Sequence, residues 1–221
     1  MTELIELHEA TCRNATYKQG LIDLINDLNN KITNMVEVGS YQGESTIIFA
    51  DNINGLQELH AIDPWSNGYA PGDACSDKYP MSVVESNFDI RTKNFSVIKK
   101  HKTTSKEFVK EIADGSLDFV YIDGDHSYDS CKEDINMWLP KIKQGGIIAG
   151  HDYLEACFMG VVNAVNETFG TASLLYHYCL EVNTIFPRVG NRIRMFSPSG
   201  LTVPAKPGAI PPNRIHRQGA R

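Results

Sequence analysis

Val36-Glu37-Val38-Gly39-Ser40-Tyr41-Gln42-Gly43-Glu44-Ser45-Thr46 changes character twice within eleven residues. The apolar run Met35-Val36-Glu37-Val38 predicts a strand, and Glu44 to Phe49 begins a helix. Between them Gly39 and Gly43 predict a tight turn. Gly39 lets the backbone bend sharply and approach a ligand, and Gly43 lets the helix start close to the strand. The helix N-terminus offers free N–H groups to electron-rich atoms. Glu37, two residues before the turn, is placed to accept a hydrogen bond from an amine or a hydroxyl. Ser40, Tyr41 and Ser45 complete the set expected to line whatever binds there. A bare strand-to-helix junction uses the same turn, so this motif does not decide the matter by itself.

On either side of the turn, short apolar runs alternate with helical stretches. The first thirty residues read as a helical cap, with Leu21, Ile22, Leu24, Ile25 and Leu28 at helical spacing. Strands are expected at Leu59–Ile62, Phe95–Ile98, Leu117–Ile122 and Gly146–Ala149, and two more around Leu174–Leu180 and Arg192–Phe196. Helices are expected from Val83, over Ser105–Ala113, over Ser130–Lys143 and over Val161–Phe169. Strand and helix in strict alternation mean βαβ units and a mainly parallel, doubly wound α/β sheet with helices on both faces. The strands do not alternate apolar with polar residues, as suits strands buried on both sides.

About twenty residues after the turn, His60-Ala61-Ile62-Asp63 ends the second strand with an acid. That spacing suits a carboxylate that bridges the two hydroxyls of a ribose. Two nucleoside ligands remain open on this pattern. A nicotinamide dinucleotide needs a second glycine where its pyrophosphate lies, and Tyr41 stands there instead. An adenosyl ligand without phosphates needs only the turn, Glu37 and Asp63.

A second cluster ends the fourth and fifth strands. Asp123-Gly124-Asp125-His126 follows one and Gly150-His151-Asp152 the other. Adjacent parallel strands put both ends on one rim, the rim of the glycine turn. Asp123, His151 and Asp152 are therefore expected to converge on one divalent cation, for which carboxylates with one imidazole suit magnesium or manganese better than a structural zinc. His126, three residues after Asp123, is expected as the general base. The D-G-D sequence is also good turn chemistry. After the third strand, Thr104 or Ser105 either edges an adenine or simply caps the next helix.

Composition narrows the function class. The chain has 221 residues, 42% hydrophobic and 22% charged, with 27 acids against 21 bases. A net charge of −6 argues against a broad basic face for nucleic acid. No apolar run approaches a membrane span, and the acidic start Met1-Thr2-Glu3-Leu4 lacks the look of a secretory leader, so a cytoplasmic protein without membrane contact is expected. Five scattered cysteines with no C-x-x-C pair read as reduced thiols. Pro64 to Pro80 forms a long aromatic loop, whose Trp65, Tyr69 and Tyr79 are expected to close over a substrate. Residues 1–196 read as one domain. Residues 197–221 hold five of the ten prolines, four bases and no acid, and read as an extended or disordered tail.

The segments V-E-V-G-S-Y-Q-G-E-S-T, H-A-I-D-P-W, D-F-V-Y-I-D-G-D-H-S-Y-D and W-L-P-K-I-K-Q-G-G-I-I-A-G-H-D-Y, with the following M-G-V-V-N-A-V, together resemble the class I S-adenosylmethionine-dependent methyltransferases. The resemblance covers roughly residues 32 to 170 and is nearest to the small-molecule O-methyltransferases of the macrocin and mycinamicin sugar type. It implies a seven-stranded Rossmann-like sheet with an antiparallel last strand. Glu37 and Gly39 would line the methionine part of S-adenosylmethionine, Asp63 would hold the ribose, and Asp123 and Asp152 would bind Mg²⁺. His126 would take the proton from a small-molecule hydroxyl acceptor, and subunits would close each other's sites in a homo-oligomer. The position of His151 usually carries an acid in that family, so this chain departs from the pattern there. The competing readings are an NAD-binding Rossmann enzyme, a methyltransferase-fold protein that binds without catalysis, and a metal-dependent hydrolase that uses the acid–histidine rim alone and leaves the glycine turn without a purpose.

Overall fold

A computed structural model describes residues 15–28, 32–71, 78–153, 157–170 and 184–185. Five parallel strands form the sheet: β1 (Asn34–Val38), β2 (Glu58–Asp63), β3 (Ile98–Lys102), β4 (Leu117–Ile122) and β5 (Ile142–Gly150). A two-residue strand, β6 (Thr184–Ile185), pairs antiparallel with the end of β5, giving the order β3-β2-β1-β4-β5-β6. The helices are α1 (Ala15–Leu28), α2 (Glu44–Asn52), α3 (Met81–Thr92), α4 (Ser105–Phe108), α5 (Tyr128–Trp138) and α6 (Met159–Phe169). The two last strands expected from the sequence, and the tail after residue 196, lie outside the described residues. No helix among the described residues is long and apolar enough to cross a membrane.

Each central strand buries both faces. Met35, Phe119, Tyr121 and Ile147 face one apolar layer with Leu21, Leu24 and Leu28 of α1, Phe49 of α2 and Phe88 of α3. Their neighbours Val36, Val120 and Ile148 face the other, with Ile135 and Trp138 of α5 and Val161 and Val165 of α6. Phe49 meets Phe119 and Tyr121 edge to face at 5.7 and 5.0 Å, a favoured aromatic geometry.

Three elements differ from the sequence reading. The third strand runs over Ile98–Lys102 rather than Phe95–Ile98. As the edge strand it has an open, half-solvated flank, so lysines occupy it and the apolar run before it is the approach to it. The helix expected over Ser105–Ala113 is α4 followed by a 3₁₀ turn at Val109–Glu111. The helix expected to end at Lys143 stops at Trp138, with Pro140 just beyond in a 3₁₀ turn, and β5 already starts at Ile142.

Strand order reverses between β1 and β4, which opens a crevice at their carboxyl ends. Gly39 stands at that point. Its φ is +84°, and an added Cβ would lie 1.9 Å from the Asp123 carbonyl oxygen. The expected reason for this glycine was approach to a ligand; the structure adds a constraint inside the chain, since β4 already fills the space a side chain would need. Gly43 is likewise closed off, at φ +80°, by the Phe88 ring 2.9 Å from a hypothetical Cβ. Gly55, with φ +86° and nothing within 4 Å, carries only the conformational demand. Gly39→Ala is therefore expected to cost at least about 3 kcal/mol, combining left-handed strain with a backbone clash, whereas Gly55→Ala costs about 1–2 kcal/mol. Urea unfolding of the two variants measures the contrast; equal losses would contradict it.

Candidate functional site

The rim formed by the carboxyl ends of β1, β2, β4 and β5 gathers the chemistry. Glu37 on β1 is fully buried. Its Oε2 accepts the Ser40 hydroxyl at 3.0 Å and the Thr46 hydroxyl at 2.5 Å, while Oε1 has no hydrogen-bond partner among the described residues. Burial pushes this carboxyl up to about 7, against the hydroxyls of Ser45, Thr46 and Ser40, which favour the charged form. Ser40 and Ser45, expected to line a ligand, thus attend Glu37 first. Gln42, also buried, ties the turn to α3 by accepting from Asn87 at 2.8 Å and from Arg91 at 3.2 Å.

Asp63 at the end of β2 reaches the glycine turn directly. Its Oδ2 accepts the Tyr41 N–H at 3.0 Å and its Oδ1 the Trp65 N–H at 2.7 Å. Tyr41 (φ 43°) and Trp65 (φ 40°) are both left-handed, and the Trp65 indole closes the loop by donating to the Tyr41 carbonyl at 2.8 Å. Burial raises the Asp63 carboxyl to about 6 despite those two N–H donors. Each oxygen keeps a second lone pair for a ligand hydroxyl. Trp65 itself is 3% exposed and packs on Phe88 at 4.8 Å, so it does not close over a substrate as the sequence reading had it. Tyr79 is part-buried against the α1–α3 layer, whereas Tyr69 remains half exposed on the same loop. Thr104 caps α4 by accepting the Glu107 N–H at 3.2 Å, which is the plainer of its two expected roles.

The acid–histidine cluster assembles differently from the expected ligand set. One ligand atom each from Asp123, His126 and Asp152 lies within 4.8 Å of the others. The structure thus brings His126 to the two acids as well as His151. His126 Nε2 lies 2.6 Å from Asp152 Oδ2. His151 Nδ1 stands 2.9 Å from that same oxygen and 3.7 Å from Asp123 Oδ1, as a charge partner of both acids. Burial would lower the His151 imidazole, but Asp123 and Asp152 overcome it and push it up to about 9. Asp152 is held well below the usual carboxylate range: burial opposes this, and the two imidazoles prevail. The replacement of an acid by His151 is therefore balanced by charge pairing within the cluster. Two carboxylates and an imidazole converging on one point fit a divalent cation. Asp125, the second acid of D-G-D, turns away to accept the Ser127 N–H at 2.8 Å and the Ser130 hydroxyl at 2.9 Å, which is turn chemistry.

One buried acid was missed. Asp134 on α5 is 7% exposed and accepts the Ser105 hydroxyl at 2.5 Å, while Trp138 donates to that hydroxyl at 2.8 Å. Burial raises its carboxyl to about 6. The signal was its spacing: Asp134 falls on the same helical stripe as the buried Cys131, Ile135 and Trp138.

The family model described as a methyltransferase domain matches residues 36–153, more than half of the chain and the span of this rim. Among curated proteins the chain is similar to uncharacterized protein y4gI of Sinorhizobium fredii, 26% identical over 53% of this chain and 13% of that protein. It is also similar to uncharacterized protein R132 of Acanthamoeba polyphaga mimivirus, 25% identical over 61% of this chain and 58% of that protein. The chain thus spans about an eighth of the first relative and under three fifths of the second. Among solved structures, the O-methyltransferase NovP shares the fold at a TM-score of 0.59 and 16% identity, over 79% of this chain and 80% of that one. The chain belongs to the methyltransferase domain family.

Proposed function

We propose that the chain transfers a methyl group from S-adenosylmethionine to a hydroxyl of a small molecule, a sugar or natural-product-like acceptor, with a divalent cation, magnesium in the first place, assisting. The reading rests on one observation: the glycine turn and Asp63 meet at the point where strand order reverses, beside a buried carboxylate with one oxygen unpartnered among the described residues. A ligand ammonium is the natural donor to Glu37 Oε1, and ribose hydroxyls are natural donors to Asp63. The seven-stranded sheet with an antiparallel last strand belongs to the same reading.

S-adenosylmethionine, when bound, supplies a sulfonium methyl that is already a good electrophile. The chain's part is then alignment and proton removal. Asp123 and Asp152 are the carboxylates that would hold a cation, which when bound lowers the pKa of an acceptor hydroxyl. His126 accepts the hydroxyl proton, and Asp152 orients its ring. The short bond between His126 and Asp152 also favours a second reading, in which this pair acts as the base without a cation. EDTA separates the two. Loss of turnover restored by Mg²⁺ supports the first, and full activity in chelator supports the second.

Binding of S-adenosylhomocysteine rather than NAD in a thermal-shift assay, followed by methyl transfer to a hydroxylated acceptor panel, tests the reading as a whole. Single substitutions sort the roles. His126→Ala is expected to slow turnover by about 10²–10⁴-fold with cofactor affinity changed less than threefold, on the scale of general-base loss. Asp63→Asn is expected to weaken S-adenosylhomocysteine by about tenfold or more, the scale of a hydrogen bond to a charged group. Calorimetry in which His126→Ala lost affinity as badly as Asp63→Asn would overturn the assignment.

The pH dependence follows from Glu37. Below about 7 the free protein holds a proton on this carboxyl, and an incoming ammonium needs the carboxylate, so binding expels the proton. Affinity is expected to tighten as pH rises from 6 to 7, approaching about tenfold per unit at its steepest, and to level off above, with Glu37→Gln flattening the curve. Titrations in buffers of different ionisation enthalpy would show proton release; none at pH 6.3 would refute the role given to Glu37.

A further inference from the structure

We propose that His60 and His101 form an acid-sensitive latch on the edge of the sheet, closed by one shared proton and released when both facing nitrogens carry one. His60 Nδ1 and His101 Nε2 lie 3.0 Å apart, across the adjacent strands β2 and β3. The ring centroids are 5.1 Å apart, so the two nitrogens face each other nearly along the line between the rings. A neutral imidazole offers one N–H and one bare nitrogen. With a single proton between them the rings share a hydrogen bond; with two, N–H points at N–H and the rings repel. Phe108 of α4 covers the pair from the helix side, with its ring centroid 3.9 Å from that of His101 and 5.6 Å from that of His60.

The surrounding charges do not rescue the doubly protonated form. Glu58 of β2 stands 3.8 Å from His60 Nε2, too far for a hydrogen bond. Burial lowers the His60 imidazole, and Lys99 of β3 adds to that against Glu58. Burial likewise lowers the His101 imidazole, and the His60 ring adds to that against Glu111 of the turn after α4. The closed pair therefore binds fewer protons than two free histidines. Its contribution is complete above the ordinary imidazole value of 6.5 and is lost as the pH falls below it. The latch sits on the edge strand, which pairs only with β2 among the described residues. α4 has its own ties to α5, from Ser105 to Asp134 and from Lys106 to Glu133. Splitting the histidines thus raises the frequency with which β3 parts from β2, while α4 stays on α5 and the central strands stay paired.

Hydrogen exchange read by mass spectrometry on the full-length chain tests the latch, each rate being taken relative to the intrinsic rate at that pH. Between pH 7 and pH 5, the amides of Ile98–Lys102 are expected to lose protection by about tenfold or more, while those of Leu117–Ile122 on β4 keep theirs. His60→Asn combined with His101→Gln puts neutral amides at the two facing nitrogen positions, which keeps a hydrogen bond that takes up no proton. The pH response of β3 is expected to flatten in this double variant. Proton NMR of the wild-type imidazoles gives a second readout that needs no variant. The pair is expected to titrate in two steps separated by more than about one pH unit, the mark of coupled sites. Protection of β3 unchanged down to pH 5, a pH response undiminished in the double variant, or both imidazoles titrating together near the ordinary value would each overturn the inference.

Discussion

A single buried carboxylate organises the rim. Asp63 accepts the backbone N–H groups of Tyr41 and Trp65, two large residues in the left-handed region. That region costs a residue with a Cβ about 1–2 kcal/mol, and hydrogen bonds to a charged acceptor return about 1.5–3 kcal/mol each. The two strained residues therefore persist because Asp63 over-determines them. Remove the acid and the loop after β1 and the loop after β2 lose their common anchor. The third non-glycine residue with positive φ among those described is Asp152, at the end of β5. All three lie at strand ends on one rim, where strain is characteristic of a binding site.

The rim divides its charges in two ways. On the β1–β2 side, Glu37 and Asp63 are buried without a cationic partner among the described residues, and burial raises both carboxyls. Such groups gain from a ligand that brings donors. On the β4–β5 side, Asp123 and Asp152 are paired with His151 and, through Asp152, with His126, so the charge is settled within the chain. The same sheet edge thus presents an unsatisfied half suited to a cationic, hydroxylated ligand and a self-compensated half suited to moving a proton or exchanging a histidine for a cation.

Much of this was legible in the residues, for identifiable reasons. The strands β1, β2, β4 and β5 announce themselves because their central residues are buried on both faces and therefore mostly apolar. Asp63 is visible because an acid ends such a run at a fixed distance from a glycine turn. The edge strand β3 was misplaced because edge strands are polar, and an apolar-run criterion slides off Ile98-Lys99-Lys100-His101-Lys102 onto the residues before it. Trp65 reads as a lid in a loop rich in proline, but its N–H groups are claimed by Asp63 and Tyr41, which no local pattern encodes. The pairing of His126 with Asp152, 26 residues apart, depends on how two strand ends are juxtaposed, and spacing along the chain cannot distinguish it from a pairing through His151.

The central claim is that residues 39 to 43 and Asp63 jointly hold an adenosine bearing a sulfur substituent. A crystal structure grown with S-adenosylhomocysteine tests it most directly. The account predicts density for the ribose against the Asp63 carboxylate, with the amino-acid part lying along the glycine turn toward Glu37. Density for the nucleoside elsewhere, or a turn still sealed against Asp63 with no ligand beside it at saturating concentration, would contradict it.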